Sequence, residues 1–203
     1  VMTVRTATEL RGIPCFDLVA KPPPKKNMCQ SRSFGRPILD VKDMREAIAT
    51  FASGVARKAR EERSVANAVM PFITTSRFDK SSPKYYNAVM LALPCATNSS
   101  QLIVKAALDG LKMIFREGFR YTKAGVILSD LHGADVVQPS LFQKDGDIAR
   151  HRRLSEAMDA INDQYGAGTL RLAAEGMQKA WDMKRRRRTP RYTSRWGELP
   201  KAH

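Results

Sequence analysis

Two stretches of the chain repeat apolar residues at spacings of three and four, which is the period of an amphipathic helix. The first stretch follows Asp40, a residue type that is favoured at helix N-caps. Its apolar stripe consists of Val41, Met44, Ile48, Phe51, Ala52, Val55 and Ala59. Its polar side consists of Lys42, Arg45, Glu46, Arg57, Arg60 and Glu61. The pattern predicts a helix that buries the first set and exposes the second.

A second helix is predicted after Asn98, Ser99 and Ser100, with Gly118 at its C-terminal end. Its apolar stripe consists of Leu102, Ile103, Ala106, Ala107, Leu111, Ile114 and Phe115. The same period recurs over residues 147–165, where Gly166 is predicted to end a third helix. A short strand is predicted next, over residues 169–173.

Four stretches between these helices have the composition of strands. Residues 27–38 are predicted to be extended, because a proline at position 37 disfavours helical backbone before it. Residues 65–76 and 85–93 are rich in β-branched and aromatic residues and flank a turn, which predicts a hairpin. Residues 121–131 place Ala124, Val126 and Leu128 on one face of a last strand.

The order strand, helix, strand, strand, helix, strand predicts an α+β fold. Two helices are expected to cover one face of a four-stranded sheet, leaving the other face open, and a small, mostly helical C-terminal region follows. Consecutive prolines between Lys21 and Lys26 form a stiff, extended linker before the sheet. We therefore divide the chain into residues 1–26, 27–133, 134–145 and 146–203.

The net charge of +15 and the pI of about 10.1 indicate a partner rich in phosphate. Nucleic acid is the first expectation, and an anionic membrane surface is the competing one. The sequence contains neither a signal-peptide pattern nor an apolar run near the ~20 residues that span a bilayer, so we expect no membrane partner. Three widely spaced cysteines and three scattered histidines predict free thiols and no metal site.

The open sheet face is the predicted site of contact with nucleic acid. Residues that alternate with the buried set, together with basic residues near the strand ends, are the candidate DNA contacts. They are Ser31, Arg32, Ser33, Arg36, Arg77, Lys80, Arg120, Tyr121 and Lys123. Such side chains suit the sugar-phosphate backbone better than base edges, which predicts binding that is independent of sequence and sensitive to salt. The alternative is that an exposed sheet face is polar without binding anything.

Two further segments have features of binding peptides. Gln138, Leu141 and Phe142 combine an amide with two apolar anchors, which is typical of a short peptide that docks on a partner protein. The alternative is a loop that folds back on its own domain. Near the C-terminus, Arg185, Arg186, Arg187, Arg188 and Arg191 are interleaved with aromatic residues. This tail either contacts phosphates and bases or is a solvated segment.

Four motifs carry a resemblance to a known family. They are residues 29–36 (CQSRSFGR), residues 119–126 (FRYTKAGV), the Gln-x-x-Leu-Phe peptide at 138–142, and residues 183–193. Together and in this order they resemble the C-terminal part of UmuC-type polymerases, the SOS-induced translesion branch of the Y family. The resemblance covers essentially the whole chain.

The resemblance implies a role for each segment. Residues 27–133 would be the little finger domain, which grips the template-primer duplex, and residues 138–142 would dock into the sliding clamp. Residues 1–15 would be the end of the thumb, and the region after 146 is specific to this branch. UmuD and RecA would be further partners, in the cytoplasm and at the bacterial nucleoid.

Catalysis is not expected of this chain itself. Two-metal nucleotide transfer requires converging carboxylates, and the acidic residues here fall on helix exteriors or in loops. By the resemblance, the metal-binding palm lies upstream, so a complete DNA polymerase would use Mg²⁺ and this chain no cofactor. The alternative function is a regulatory scaffold that recruits SOS proteins through its basic tail and the Gln-x-x-Leu-Phe peptide at 138–142.

Overall fold

The computed structural model describes residues 2–17, 24–79, 81–134, 145–183, 189–193 and 196–199. The helices are α1 (Met2–Leu10), α2 (Val41–Glu61), α3 (Ser100–Ile114) and α4 (Asp145–Tyr165). The strands are β1 (Asn27–Ile38), β2 (Ser64–Thr75), β3 (Tyr86–Ala88), β4 (Leu91–Thr97) and β5 (Tyr121–Gly133). Among the described residues, single turns of 3₁₀ helix cover Ala173–Glu175 and Trp196–Glu198.

The strands form one antiparallel sheet in the order β1-β5-β2-β3, with β4 also paired to β2. The α+β prediction is confirmed, and so is the hairpin, although its second arm is split into β3 and β4. The split lies opposite Pro71, since Phe72 pairs with Ala88 and Val69 pairs with Leu91. Proline has no N–H to donate, so the ladder is interrupted beside it.

The helices α2 and α3 cover one face of the sheet, as predicted. Asp40 caps α2 by accepting a hydrogen bond from the Lys42 N–H at 3.0 Å. The core joins the buried stripe of α2 with that of α3 and with Ala124, Val126 and Leu128 of β5, which are fully buried. Burial of these apolar surfaces, at about 25 cal/mol per Å², is the main stabilising contribution to the fold.

The predicted end of α3 at Gly118 is wrong, because the helix stops at Ile114. Phe115 has extended backbone angles, and its ring packs against the ring of Tyr121 with the two ring centroids 5.3 Å apart. The hydroxyl of Tyr121 accepts from the Arg116 N–H and donates to the Arg116 carbonyl. Tertiary contacts thus end the helix, and Gly118, with φ of +85°, lies in the turn that follows.

The C-terminal region packs on the helical side of the domain. Trp181 is 2% exposed and lies edge-on to Phe34 and Phe51, with ring centroids at 5.9 and 5.7 Å. Its carbonyl accepts a hydrogen bond from the Gly35 N–H at 3.1 Å. The helix predicted over 147–165 is confirmed as α4, and Gly166 follows it with φ of +107°. No strand forms over residues 169–173, where Asn162 instead binds the backbone of a turn.

Candidate nucleic-acid interface

One row of polar side chains crosses four strands on the open face of the sheet. Ser33 of β1 pairs with Lys123 of β5, which pairs with Thr74 of β2, which pairs with Tyr86 of β3. Residues directly opposite each other in antiparallel strands point to the same face. The face is the one away from α2 and α3, because Ala124, the neighbour of Lys123, is in the core. We call these four residues the polar row.

The next row is packed tightly around Gly125. Ser31 and Phe72 pair with this glycine from either side. A Cβ atom at position 125 would lie 2.4 Å from Cβ of Ser31 and 2.6 Å from the ring of Phe72. Any side chain at position 125 would therefore displace these neighbours, and the glycine keeps this part of the open face flat.

The prediction that Tyr121 shares the open face with Lys123 is wrong. Thr74 pairs with Lys123 and Thr75 pairs with Tyr121, so one step along β2 corresponds to two steps along β5. This β-bulge shifts the alternation by one residue and turns Tyr121 into the core. The side chain is fully buried, and burial raises the pKa of its phenol.

Two arginines predicted on the open face also lie elsewhere. Arg32 pairs with Ala124, which places it on the helical side of the sheet, and its Nη1 lies 4.0 Å from Oδ1 of Asp182. Arg36 falls within an irregularity of β1 between Ser33 and Ile38, and its Nη2 lies 3.5 Å from Oδ2 of Asp43 in α2. The predicted pair Ser31 and Ser33 does lie on the open face beside Lys123.

A structured loop continues from the polar row at the end of β2. Ser76 Oγ accepts hydrogen bonds from the N–H groups of Phe78 and Asp79 at 3.3 and 3.4 Å. The Asp79 carboxylate accepts from the Ser81 hydroxyl and N–H and from the Ser82 hydroxyl. These bonds, with a smaller effect of the Arg120 charge, lower the pKa of Asp79 from 3.8 to about 2.

A shallow cleft of about 220 Å³ lies between this loop and β3. Its polar lining includes Thr74, Ser76, Arg77, Lys84 and Tyr86. Arg77 and Arg120, both predicted DNA contacts, are exposed at this end of the sheet. The prediction omitted Lys84, Thr74 and Tyr86, of which Tyr86 is 65% exposed. The sequence signal for Lys84 and Tyr86 was a lysine followed by two tyrosines at the start of the hairpin's second arm, and Thr74 had no such signal.

Several predicted site residues lie outside the described residues. They are Lys80, Gln138, Leu141, Phe142, Arg185, Arg186, Arg187 and Arg188. Arg191 is described and exposed. Within the described ranges, no group of three or more His, Cys, Asp or Glu residues could hold a metal ion. No helix among the described residues is long and apolar enough to cross a membrane.

The fold and the polar row define the class as an α+β domain whose helices leave one sheet face open, with a row of polar side chains across it. Residues 25–141 match the impB/mucB/samB family C-terminal domain, and residues 152–202 match a domain of unknown function, DUF4113. The chain therefore belongs to the impB/mucB/samB family and corresponds to the C-terminal part of a UmuC-like protein. This confirms the family resemblance drawn from the four motifs.

The curated relatives match nearly the whole chain. It is 39% identical over 199 residues to protein UmuC of Salmonella typhimurium strain LT2, covering 98% of this chain and 47% of the relative. It is 37% identical over 202 residues to protein ImpB of Salmonella typhimurium, covering 100% of this chain and 47% of that relative. It is 36% identical over 200 residues to protein MucB of Escherichia coli, covering 98% of this chain and 47% of that relative. The chain thus spans about half the length of the curated relatives it matches.

Proposed function

We propose that this chain is the DNA-binding and clamp-tethering part of an error-prone Y-family translesion DNA polymerase that acts in the SOS response. The observation that carries the proposal is the polar row, in a chain of net charge +15. Hydroxyl and ammonium groups donate hydrogen bonds to phosphate oxygens without reading a base sequence. A polymerase that copies damaged templates requires this type of contact, because it must hold any sequence.

The dimensions of the row suit a duplex. Neighbouring strands lie about 4.8 Å apart, so a row across four strands extends about 14 Å. This length is similar to the ~12 Å width of the major groove. Ser33, Lys123, Thr74 and Tyr86 would then contact sugar-phosphate groups along the edge of one groove. Arg77, Lys84 and Arg120 would extend the contact at one end of the sheet.

The clamp contact is proposed from the peptide that follows β5. Gln138, Leu141 and Phe142 would bind a sliding clamp, as the resemblance to UmuC-type polymerases implies. Tethering to a clamp raises the local concentration of a weak DNA-binding domain near the primer end. UmuD and RecA are proposed as further partners on the same basis. The Mg²⁺ ions of the complete polymerase would be held by palm carboxylates and by no residue of this chain.

A salt titration of duplex affinity tests the DNA-binding proposal. The variant is Lys123→Gln, and the matched control is Arg32→Gln, which removes the same charge from the other side of the sheet. We expect Lys123→Gln to weaken binding equally for two unrelated sequences. Its salt slope should be shallower by about one unit, the value for one lost phosphate contact.

The control should keep the wild-type salt slope, because Arg32 faces the helical side. Equal slopes for wild type and Lys123→Gln would contradict the proposed interface. A wild-type chain that gains no duplex affinity as salt is lowered would favour the regulatory scaffold instead.

A further inference from the structure

A cleft of about 290 Å³ lies between α2 and the turns that follow α4. One wall contains Ser53 of α2 and Gln30 of β1, and the other contains Arg171 and Lys179. The cleft is on the helical side of the sheet, because Gln30 pairs with the core residue Val126. It therefore lies on the opposite side of the domain from the polar row.

Arg171 and Lys179 bring two positive charges to this cleft without a matching carboxylate. Neither forms an ion pair with an acid of the described residues. The two acids that line the cleft have other partners, since Asp159 binds Arg60 and Glu175 accepts from a backbone N–H at 3.3 Å. Burial lowers the pKa of Lys179, the Glu175 charge raises it by a smaller amount, and the Arg171 charge lowers it again. An anion in the cleft would relieve this unfavourable environment of the ammonium.

Both cations are held in place by anchored neighbours. Arg171 Nε donates to the Gly168 carbonyl at 2.9 Å, and Asn162 Oδ1 fixes the same turn by accepting from the Gly168 N–H at 3.1 Å. Lys179 Nζ lies 5.9 Å from the ring centroid of Trp181, which is buried. Cations that are pre-organised in this way lose less entropy when they bind a ligand.

The hydroxyl of Ser53 provides a second, independent observation on the opposite wall. Its Oγ is buried and has no hydrogen-bond partner among the described residues. Thr50, which precedes it on α2, instead donates to the Glu46 carbonyl at 2.9 Å. A buried hydroxyl without a partner carries an unfavourable free energy, which a ligand that accepts its hydrogen bond would relieve.

We propose that this cleft binds a phosphate group, either as the free ion or as the monoester of a nucleotide. A phosphate has several acceptor oxygens that point in different directions, so one group can accept from Ser53 on one wall and from Arg171 and Lys179 on the other. The two oxygens of a carboxylate lie in one plane and suit a single wall. The volume of the cleft is near the lower end of the range for small-molecule sites. The inference goes beyond DNA binding and does not depend on it.

Calorimetric titration of the full chain with inorganic phosphate and with deoxyadenosine monophosphate, at constant ionic strength, tests the proposal. We expect Lys179→Gln and Arg171→Gln each to weaken binding of both probes about tenfold or more. The control Lys105→Gln, which removes an exposed charge from α3, should bind as wild type. In a Trp196→Phe background, phosphate should also change the emission of Trp181, because Lys179 lies over its ring.

Ser53→Ala distinguishes a ligand contact from a structural role. We expect it to weaken phosphate binding about tenfold, because it removes one donor to a charged group. Without phosphate, its urea midpoint should not fall, since the hydroxyl has no partner to lose. A lower urea midpoint with unchanged phosphate affinity would show that Ser53 is only structural and would contradict the proposed site.

The two probes distinguish the sources of the phosphate. Tighter binding of the nucleotide would identify a nucleotide ligand, and equal binding would identify the phosphate ion; both results support the site. A wild-type chain that binds neither probe would overturn the inference, as would unchanged affinity in both Lys179→Gln and Arg171→Gln.

Duplex titrations separate this inference from the proposed function. If Lys179→Gln lowers the salt slope of duplex binding as Lys123→Gln does, the cleft belongs to the DNA interface and the inference is overturned. If the chain binds phosphate in the cleft but does not bind duplex, the inference stands and the proposed function fails.

Discussion

Arg60 of α2 and Asp159 of α4 form a bidentate ion pair, with Nε to Oδ2 at 2.6 Å and Nη2 to Oδ1 at 2.9 Å. The remaining nitrogen, Nη1, donates to the Asn98 carbonyl at 2.6 Å and to Ser100 Oγ at 3.1 Å. One guanidinium therefore joins α2, the beginning of α3 and α4. The Arg60 side chain is only 10% exposed, so its predicted place on the solvent side of α2 is wrong.

Breaking this ion pair should destabilise the protein. Asp159→Asn leaves a buried guanidinium without its counter-charge, and we expect the free energy of unfolding to fall by about 2–3 kcal/mol. Urea unfolding measures the change. The control is Asp109→Asn, which breaks an exposed pair with Lys112 and should cost less than about 1 kcal/mol. Equal effects of the two substitutions would show that Arg60 does not anchor α4.

The two tryptophans should differ in their contact with water. Trp196→Phe leaves Trp181, which is buried, and its emission should be blue-shifted and resist acrylamide quenching. Trp181→Phe leaves Trp196, which is 88% exposed, and its emission should be quenched readily. Trp181→Ala should cost about 3–5 kcal/mol of stability, because it empties a site between two rings. Similar quenching of both single-tryptophan proteins would contradict the packing of the C-terminal region.

Tyr121 should contribute to stability and not to DNA affinity. Tyr121→Phe removes the hydroxyl that binds the Arg116 backbone, and we expect a loss of about 1–2 kcal/mol. Burial raises its pKa above 10.0, so its contribution is complete below that pH and falls as pH rises through the raised value. Chemical denaturation and a duplex titration check both parts. If Tyr121→Phe bound DNA more weakly while its stability was unchanged, Tyr121 would belong to the interface after all.

Asp79 should keep its charge at unusually low pH. Its carboxylate is stabilised by Ser81 and Ser82, which lowers its pKa to about 2 in the folded chain. Because the folded value is depressed, the loop is fully stabilised above 3.8 and loses this support as pH falls through about 2. Carbon-13 NMR of the carboxyl group measures the midpoint, and Ser81→Ala should raise it. A midpoint near 3.8 in the wild type would mean that these hydrogen bonds do not persist.

The proposed clamp contact is tested by removing its two apolar anchors. Replacing Leu141 and Phe142 together with alanine should abolish binding to a sliding clamp, because such anchors supply most of the affinity of a short docking peptide. Surface plasmon resonance on immobilised clamp measures this. Duplex affinity serves as the control and should not change. Retained clamp binding in the double variant would refute the assignment.

Local sequence features were sufficient to predict α2, α4, the start of α3 and the fold class. The Asp40 cap and the three-four apolar spacing predict α2, since both act between residues less than two turns apart. The alternation around Ala124, Val126 and Leu128 predicts the buried face of β5 in the same way. The order of these elements then leaves one sheet face open, as observed.

Which side chains lie on the open sheet face could not be predicted from the local sequence pattern. In β1, polar residues occupy both faces, so alternation alone does not assign Arg32 or Ser33 to the open side. Pairing with β5 decides it, because Ser33 opposes Lys123 and Arg32 opposes Ala124. In β5, the bulge beside Thr75 reverses the side that Tyr121 takes, and a bulge is a property of two strands together.

The sequence by itself thus determined the presence of α2, α3 and α4, the α+β class, the excess of positive charge and the family. Only the tertiary structure decided which charges remain available at the open face, because strand register and helix docking join distant residues. Arg60 and Asp159 are separated by 99 residues in the chain, yet they share a partly buried ion pair. Arg32, Arg36 and Arg60 are set against carboxylates on the helical side. Ser33, Lys123 and Tyr86 remain exposed in the polar row, with the half-buried Thr74 between them.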